Sequence, residues 1–233
     1  MSRSLHPNPH LSDRDQAITK TVALLRQITS TQLLRLYFAD GSEVSRKPRM
    51  CRAMARLNDW GEVRRIQRFI GGGTGGSGPY VYMPPSGRAR IADAHTLDIA
   101  ELYVLLIEAE RTGAIELLHF DPEPYSHVQA GRLDLRPDAH ARIRKADGVD
   151  QYFIEVDRST EWRNQLASKM RRYTSAYDEW NPDEIFPLVV WVVPDEQRRR
   201  FMEAVVRRQR YPELFTVCTT EEAAARLTQV SYP

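Results

Sequence analysis

The segment from Val149 to Asp157, with the sequence VDQYFIEVD, constrains the fold more than any other part of the chain. Its apolar content and length predict a buried β-strand. Side chains two residues apart on a strand point to the same face. We therefore expect Glu155 and Asp157 to project together, away from the face of Ile154. A buried strand that presents two carboxylates at its C-terminal end predicts a cation-binding or catalytic edge.

Two further features flank this strand. Asp138 follows Pro137 in a neighbouring predicted strand, and a helix predicted from about 160 to 177 carries Lys169. Residues at three- and four-residue steps predict one buried stripe on that helix, formed by Trp162, Leu166, Lys169 or Met170, Tyr173 and Tyr177. A lysine in such a stripe is seldom buried without a partner, so we expect Lys169 to meet the carboxylates at the strand end.

The order of elements after residue 94 indicates an α/β domain. We predict a helix, three strands, a helix, a strand, a helix, a strand and a closing helix over residues 95–233. This order predicts a mixed central sheet with helices on both faces.

Residues 1–94 predict a different domain, a winged helix-turn-helix. Two helices, over about 11–27 and from near Ser30, are followed by a third from near Ser45 to Trp60. Two short strands then enclose the run IGGGTGGSGP, which we interpret as the tip of a hairpin. A phosphate-cradling loop is the alternative, but the run lacks the terminal Gly-Lys-Ser/Thr and no helix follows it. In this fold the third helix enters the major groove.

Basic residues are concentrated in this front part. Residues 1–94 hold 15 Lys and Arg against 7 Asp and Glu, a net charge of +8, while the remainder carries −6. This asymmetry is typical of one domain that meets a polyanion. The predicted DNA-binding residues are Arg46, Lys47, Arg49, Arg52, Arg56, Arg64 and Arg65. The alternative is a solvated surface of a structural helix.

Composition limits the other classes. No run approaches the roughly 18 apolar residues of a membrane helix, and no apolar signal segment is present at the N-terminus, so we expect a cytoplasmic protein. Cys51 and Cys218 predict free thiols. The six histidines show no closely spaced cluster, so a nickase of the histidine-cluster type is not indicated. The arginines at 198–200 are interpreted as a solvated helix face, with a second DNA-binding patch as the alternative.

The order of these motifs resembles the PD-(D/E)xK nuclease superfamily. More narrowly, GGGTGGSGPYVY, ELYV, LRPDA, YFIEVDRSTE, KMRRY and FPLVVWV together resemble the replication-relaxation family of plasmids and other mobile elements, over about residues 17–200. The resemblance implies that Asp138 and Glu155 hold Mg²⁺ or Mn²⁺ in a catalytic site. The superfamily's usual Lys position is Asp157 here, so the resemblance implies that Lys169 supplies the catalytic cation from the following helix. It also implies Glu101 as a further carboxylate.

Each of these roles has an alternative. Lys169 and Glu155 or Asp138 could form a buried ion pair with no metal, and Glu101 could be a residue of a polar helix face. Asp157 could belong to the N-cap region of the next helix, with Ser159 and Thr160 as competitors.

Two hypotheses for the function follow. One is a Mg²⁺-dependent DNA nickase or endonuclease of mobile-element replication or maintenance. The other is a non-catalytic DNA-binding replication accessory or transcriptional regulator with an inactive nuclease-like domain. Double-stranded DNA is the expected partner, with a homodimer or other replication proteins as further partners and no membrane.

Overall fold

A computed structural model describes residues 11–68 and 78–229. The chain divides into two compact units, Met1–Ala100 and Glu101–Pro233, and the division lies inside a helix. The described residues contain seven α-helices and a mixed five-stranded sheet, which confirms the predicted α/β class.

The first unit has three helices and a small antiparallel sheet. Its elements are α1 (Asp13–Leu25), β1 (Ile28–Thr29), α2 (Ser30–Tyr37), α3 (Glu43–Asp59), β2 (Arg64–Arg68) and β3 (Tyr80–Met83). β3 pairs with both other strands, so the order in the sheet is β1-β3-β2. Most of the glycine run, residues 69–77, lies outside the described residues, as does the predicted tip of the hairpin.

Local sequence signals explain these helices. Ser12 and Thr29 each form a capping box, with Asp15 and Gln32 as the returning partners, and so satisfy free backbone N–H groups at the starts of α1 and α2. Gly61 follows α3 with a φ of 72°, the left-handed conformation that glycine adopts without a Cβ penalty. The predicted apolar face of α3 is confirmed, since all four of its residues are buried: Met50, Ala53, Met54 and Leu57.

The second unit surrounds the five-stranded sheet. From α4 (Ala94–Arg111), which begins before the division, it continues with β4 (Glu116–Pro122), β5 (Val128–Ala130), β6 (Leu133–Leu135), β7 (Ala139–Lys145), β8 (Gly148–Val156), α5 (Arg163–Asp178), β9 (Leu188–Val193), α6 (Glu196–Val206), β10 (Phe215–Thr219) and α7 (Thr220–Thr228). The strand order is β10-β9-β8-β7-β4. β8, β9 and β10 run parallel, and β7 is antiparallel to both β8 and β4.

The prediction of three strands before α5 was wrong, because five are present. The segment predicted as one strand is interrupted at residues 136–138, and its first part, β6, pairs with β5 in a separate two-stranded sheet. A proline at 137 has no N–H to donate to a sheet, which explains why the ladder begins after it. The interruption leaves Asp138 immediately before β7.

One face of the main sheet is covered by α5 and α6. Phe153 of β8 and Trp191 of β9 are buried in a common cluster with Leu166, Met170 and Tyr173 of α5. The predicted stripe was wrong at its two ends, since Trp162 is 79% exposed and Tyr177 is 42% exposed. Trp162 is the N-cap of α5 and lies outside its helical turns, so the helix does not carry it onto the sheet.

Candidate functional site in the second unit

The ladder between β7 and β8 places Asp138 opposite Glu155. Ala139 pairs with Ile154 in this antiparallel ladder. One step back along β7 therefore corresponds to one step forward along β8, which sets Asp138 against Glu155. The backbone N–H of Val156 donates a 2.7 Å hydrogen bond to Asp138 Oδ2. The two carboxylates predicted as metal ligands are therefore held at adjoining strand ends.

Glu155 is almost fully buried, with its side chain 1% exposed, and α5 supplies partners for both of its oxygens. Lys169 Nζ lies 2.5 Å from Glu155 Oε2, and the hydroxyl of Tyr173 donates a 2.5 Å hydrogen bond to Glu155 Oε1. Lys169 also lies 5.4 Å from the centre of the Trp191 ring, a cation–π distance. The structure thus brings together Glu155 and Lys169, as the sequence predicted.

Burial controls the protonation of this group. Burial, reinforced by the charge of Asp138, raises the pKa of Glu155 to about 8, although Lys169 and Tyr173 act in the opposite direction. Burial lowers the pKa of Lys169, but the neighbouring carboxylates raise it by more, so it lies above its usual range and the ammonium stays charged at neutral pH. Burial and the nearby Glu155 also raise the pKa of Tyr173, which remains a hydrogen-bond donor.

The pair opens onto a cleft of about 420 Å³, which we call the site cleft. Lys169 is one-third exposed there, while Glu155 forms part of its floor. Among the other lining residues are Arg136, Gln165, Arg172 and Tyr173. A buried carboxylate beside a partly exposed lysine in a cationic cleft is an arrangement that can accept a phosphate group.

Asp157 belongs to a different contact. Arg198 of α6 binds it with Nε 2.5 Å from Oδ2 and Nη2 2.9 Å from Oδ1, and the side chains are 12% and 1% exposed. Arg198 also donates to the backbone oxygen of Glu161. The interpretation of Asp157 as a cap of α5 was wrong, because the N-cap is Trp162. The interpretation of Arg198 as part of a solvated helix face was also wrong.

The donor set suits a hard cation with few protein ligands. Mg²⁺ binds through one or two carboxylates and completes its shell with water and substrate phosphates. Asp138 and Glu155 would supply those carboxylates, although Glu155 already has Lys169 as a partner. Across the described part of the chain, no group of three or more His, Cys, Asp or Glu side chains could hold a metal ion. Glu101 lies on α4 and is half-buried.

Cationic residues of the first unit

Several of the predicted DNA-binding arginines contact the protein itself. Arg56 Nη2 lies 2.8 Å from both oxygens of the buried Asp15, and Arg49 pairs with Asp40 at 3.0 Å. Arg64 donates to the backbone oxygens of two residues in the segment after β3, each at 2.7 Å. These three arginines therefore bind groups of their own unit.

The remaining cations are less constrained. Lys47 and Arg52 are exposed on α3, Arg65 lies 4.6 Å from the centre of the Tyr80 ring, and Arg46 makes one 3.4 Å contact with a backbone oxygen. Arg52 lines a cavity of about 450 Å³ together with Arg14, Arg49 and Arg56. α3 thus presents Lys47 and Arg52 to solvent while its apolar face is buried.

Sequence reasoning missed three contributors. Tyr173 was interpreted only as a core residue, yet its hydroxyl binds Glu155. Arg198, the partner of Asp157, follows it by 41 positions, so no local pattern connects them. Arg14 joins the cationic cavity from α1, where it lies 5.1 Å from the centre of the Phe38 ring. The only sequence feature that could have indicated this role is the position of Arg14 in the first turn of α1.

Comparison with known proteins gives one match. A family model described as replication-relaxation matches residues 20–85 and 86–189, well over half of the chain. No curated protein and no solved structure gives a significant match. Within the described residues, no helix is both long and apolar enough to cross a membrane.

Proposed function

The chain belongs to the replication-relaxation family, and we propose that it is a DNA-binding protein of plasmid or other mobile-element replication or maintenance. The observation that carries this proposal is the arrangement of the first unit. The element order α1-β1-α2-α3-β2-β3 with the sheet order β1-β3-β2 is that expected of a winged helix, with α3 as its recognition helix.

The dimensions and charge of α3 support this role. It has 17 residues, and at 1.5 Å per residue it is about 25 Å long, enough to lie in a major groove. Lys47 and Arg52 project to solvent, whereas Arg49 and Arg56 are held by acidic partners at 3.0 and 2.8 Å. We propose that Lys47 and Arg52, with Arg65 of β2, make the phosphate or base contacts. We assign Arg56 and Arg64 to contacts inside the unit, with Asp15 and with backbone oxygens after β3 respectively.

Direct titration tests this proposal. The whole protein is titrated against a fluorescein-labelled DNA duplex of about 30 base pairs at several salt concentrations, and anisotropy is recorded. A DNA-binding protein gives an affinity that falls steeply as salt increases, because counterions are released from the phosphates. Absence of binding at low salt, with fragments of element DNA included among the duplexes, would overturn the proposal.

A second candidate function is a Mg²⁺- or Mn²⁺-dependent DNA nickase or endonuclease. The specific observation in its favour is that Lys169 of α5 reaches Glu155, opposite Asp138, in a solvent-open cleft. We propose Asp138 and Glu155 as the ligands. A bound ion would neutralise phosphate charge and lower the pKa of water. Lys169 would donate hydrogen bonds to a phosphate oxygen, and Tyr173 would fix the orientation of Glu155.

The non-catalytic alternative has support of its own. Both oxygens of Glu155 already have protein partners, and Asp157 is held by Arg198. Incubation with supercoiled plasmid and Mg²⁺ or Mn²⁺ separates the two alternatives. Nicking that disappears in Asp138→Ala supports the enzyme. DNA binding without nicking by wild type supports the accessory or regulator, and nicking by both proteins contradicts the proposed site.

A further inference from the structure

α5 carries a second cleft on a face different from the one that holds Lys169. It has a volume of about 480 Å³ and is lined by Arg163 and Arg171 of α5 and by Arg208 and Arg210, which follow α6. The α5 residues that line it recur at three- and four-residue steps, which define a single helix face: Arg163, Ala167, Arg171, Thr174 and Asp178. We call this the arginine cleft. The sequence did not predict this cleft, because residues 95–233 carry a net negative charge.

Three of the four arginines have no acidic partner among the residues that the structure describes. In the described ranges, no carboxylate lies within ion-pair distance of Arg163, Arg171 or Arg208, and all three are exposed. Arg163 is supported by the Phe201 ring, whose centre lies 5.1 Å from its guanidinium carbon. Three neighbouring guanidinium groups without acidic partners create a positive potential in the cleft.

The single carboxylate among the lining residues is already engaged. Asp178 accepts a 2.8 Å hydrogen bond from Arg210 and a 2.9 Å hydrogen bond from the hydroxyl of Tyr211. Amide and hydroxyl side chains of Asn164, Ser175 and Gln209 complete the polar lining. The cleft therefore offers guanidinium and amide donors to an anion, and the charge that could oppose the anion is neutralised.

The arginine cleft and the site cleft lie on different faces of the same helix. Arg171 lines the arginine cleft and Arg172, its immediate neighbour, lines the site cleft. Because consecutive helix residues are 100° apart around the axis, these two side chains extend the positive surface across the exposed side of α5. A positive surface that continues from one cleft to the other suits a chain of phosphates better than one isolated anion.

We propose that the arginine cleft binds the phosphate backbone of a nucleic-acid strand, as a DNA contact of the second unit in addition to α3. This inference rests on the proposed DNA-binding function, and it assigns a role to residues outside the first unit and outside the carboxylate site. The strand is recognised through its charge and not through its bases, so the contact contributes affinity and salt dependence without sequence preference.

The test compares two triple variants of the full chain with equal charge change. One is Arg163→Ala/Arg171→Ala/Arg208→Ala, and the control removes exposed arginines elsewhere, Arg132→Ala/Arg144→Ala/Arg226→Ala. Labelled duplex and single-stranded DNA of about 30 nucleotides are titrated from low to moderate salt. We expect the cleft variant to bind at least about tenfold more weakly. Its salt slope should fall by about 2 to 3, because each lost phosphate contact removes about 0.9 on duplex and about 0.7 on single strands.

The outcomes are distinct. A cleft variant that matches the control on both DNAs overturns the inference, and if Lys47→Ala/Arg52→Ala still weakens binding, the proposed function stands. Wild type that binds neither DNA overturns both. An effect confined to one DNA supports the inference and identifies whether the strand is paired. Should the triple variant unfold, Arg171→Glu/Arg208→Glu keeps the Arg163–Phe201 contact and must show the same loss.

Discussion

Lys169 Nζ lies 2.5 Å from Glu155 Oε2, so a cation from α5 occupies the position next to the carboxylate of β8. Asp157, which directly follows β8, binds Arg198 instead. The strand end therefore carries two separate contacts between a carboxyl group and a cationic side chain. Only the Lys169–Glu155 pair is exposed to the site cleft, and this difference determines the predictions for each pair.

The stability of the protein should depend on the protonation of Glu155. Its pKa is raised from 4.5 to about 8, so between these values the folded state holds a proton that the unfolded state has released. The stabilising contribution is complete below about pH 4.5 and is lost as the pH rises to about 8, by up to about 1.4 kcal/mol per pH unit. The groups that face Glu155 are Lys169, Asp138 and Tyr173.

Urea unfolding of wild type and Glu155→Gln from about pH 5 to 8.5, in a buffer with a chelator, measures this contribution. The difference in the free energy of unfolding should shift in favour of the Gln variant as the pH rises. In Lys169→Met the charge that lowers the pKa of Glu155 is removed, so the pH dependence should extend to higher pH. A difference that stays constant with pH would contradict the assignment.

The Asp157–Arg198 pair should be structural. Arg198→Met leaves a carboxylate that is 1% exposed without its cation, and we expect a loss of about 3–5 kcal/mol in the free energy of unfolding. Asp157→Asn should cost less, because it removes the buried charge while keeping an acceptor. Chemical denaturation with a double-mutant cycle checks both. Equal stability of Arg198→Met and wild type would show that the pair is not formed in solution.

Arginines of α3 should separate into two classes. Arg56→Ala should destabilise the protein by about 1–3 kcal/mol, because the buried Asp15 loses two hydrogen bonds of 2.8 Å. Arg52→Ala, at an exposed position, should leave stability within about 0.5 kcal/mol of wild type. Thermal unfolding monitored by circular dichroism compares the two. If Arg52→Ala were as destabilising as Arg56→Ala, the division would be wrong.

The sequence predicted those parts of the fold and site that depend on local periodicity. Apolar content and length predicted the strand that became β8, and the apolar spacing of α3 identified its buried side. The Lys169–Glu155 contact could be predicted because a lysine in a stripe expected to be buried requires a partner, and the end of the preceding strand carries carboxylates.

Long-range contacts were beyond prediction from a single sequence. Arg198 reaches Asp157 only because α6 packs on the sheet beside α5, and Arg56 reaches Asp15 across 41 residues. The arginine cleft forms from α5 and the end of α6, whose charges look unremarkable when each segment is considered alone. Summed charge over half a chain hides such a local concentration.

The most direct test of the account is DNA binding by a variant that changes α3 without disturbing its internal contacts. Lys47→Ala/Arg52→Ala removes two exposed cations, and Arg88→Ala/Arg90→Ala, also exposed in the first unit, is the matched control. We predict that the α3 variant keeps the stability of wild type but binds duplex DNA at least about tenfold more weakly. Its salt slope should be reduced by about 2. Binding and slope equal to those of the control would contradict the assignment of α3 as the DNA-reading helix.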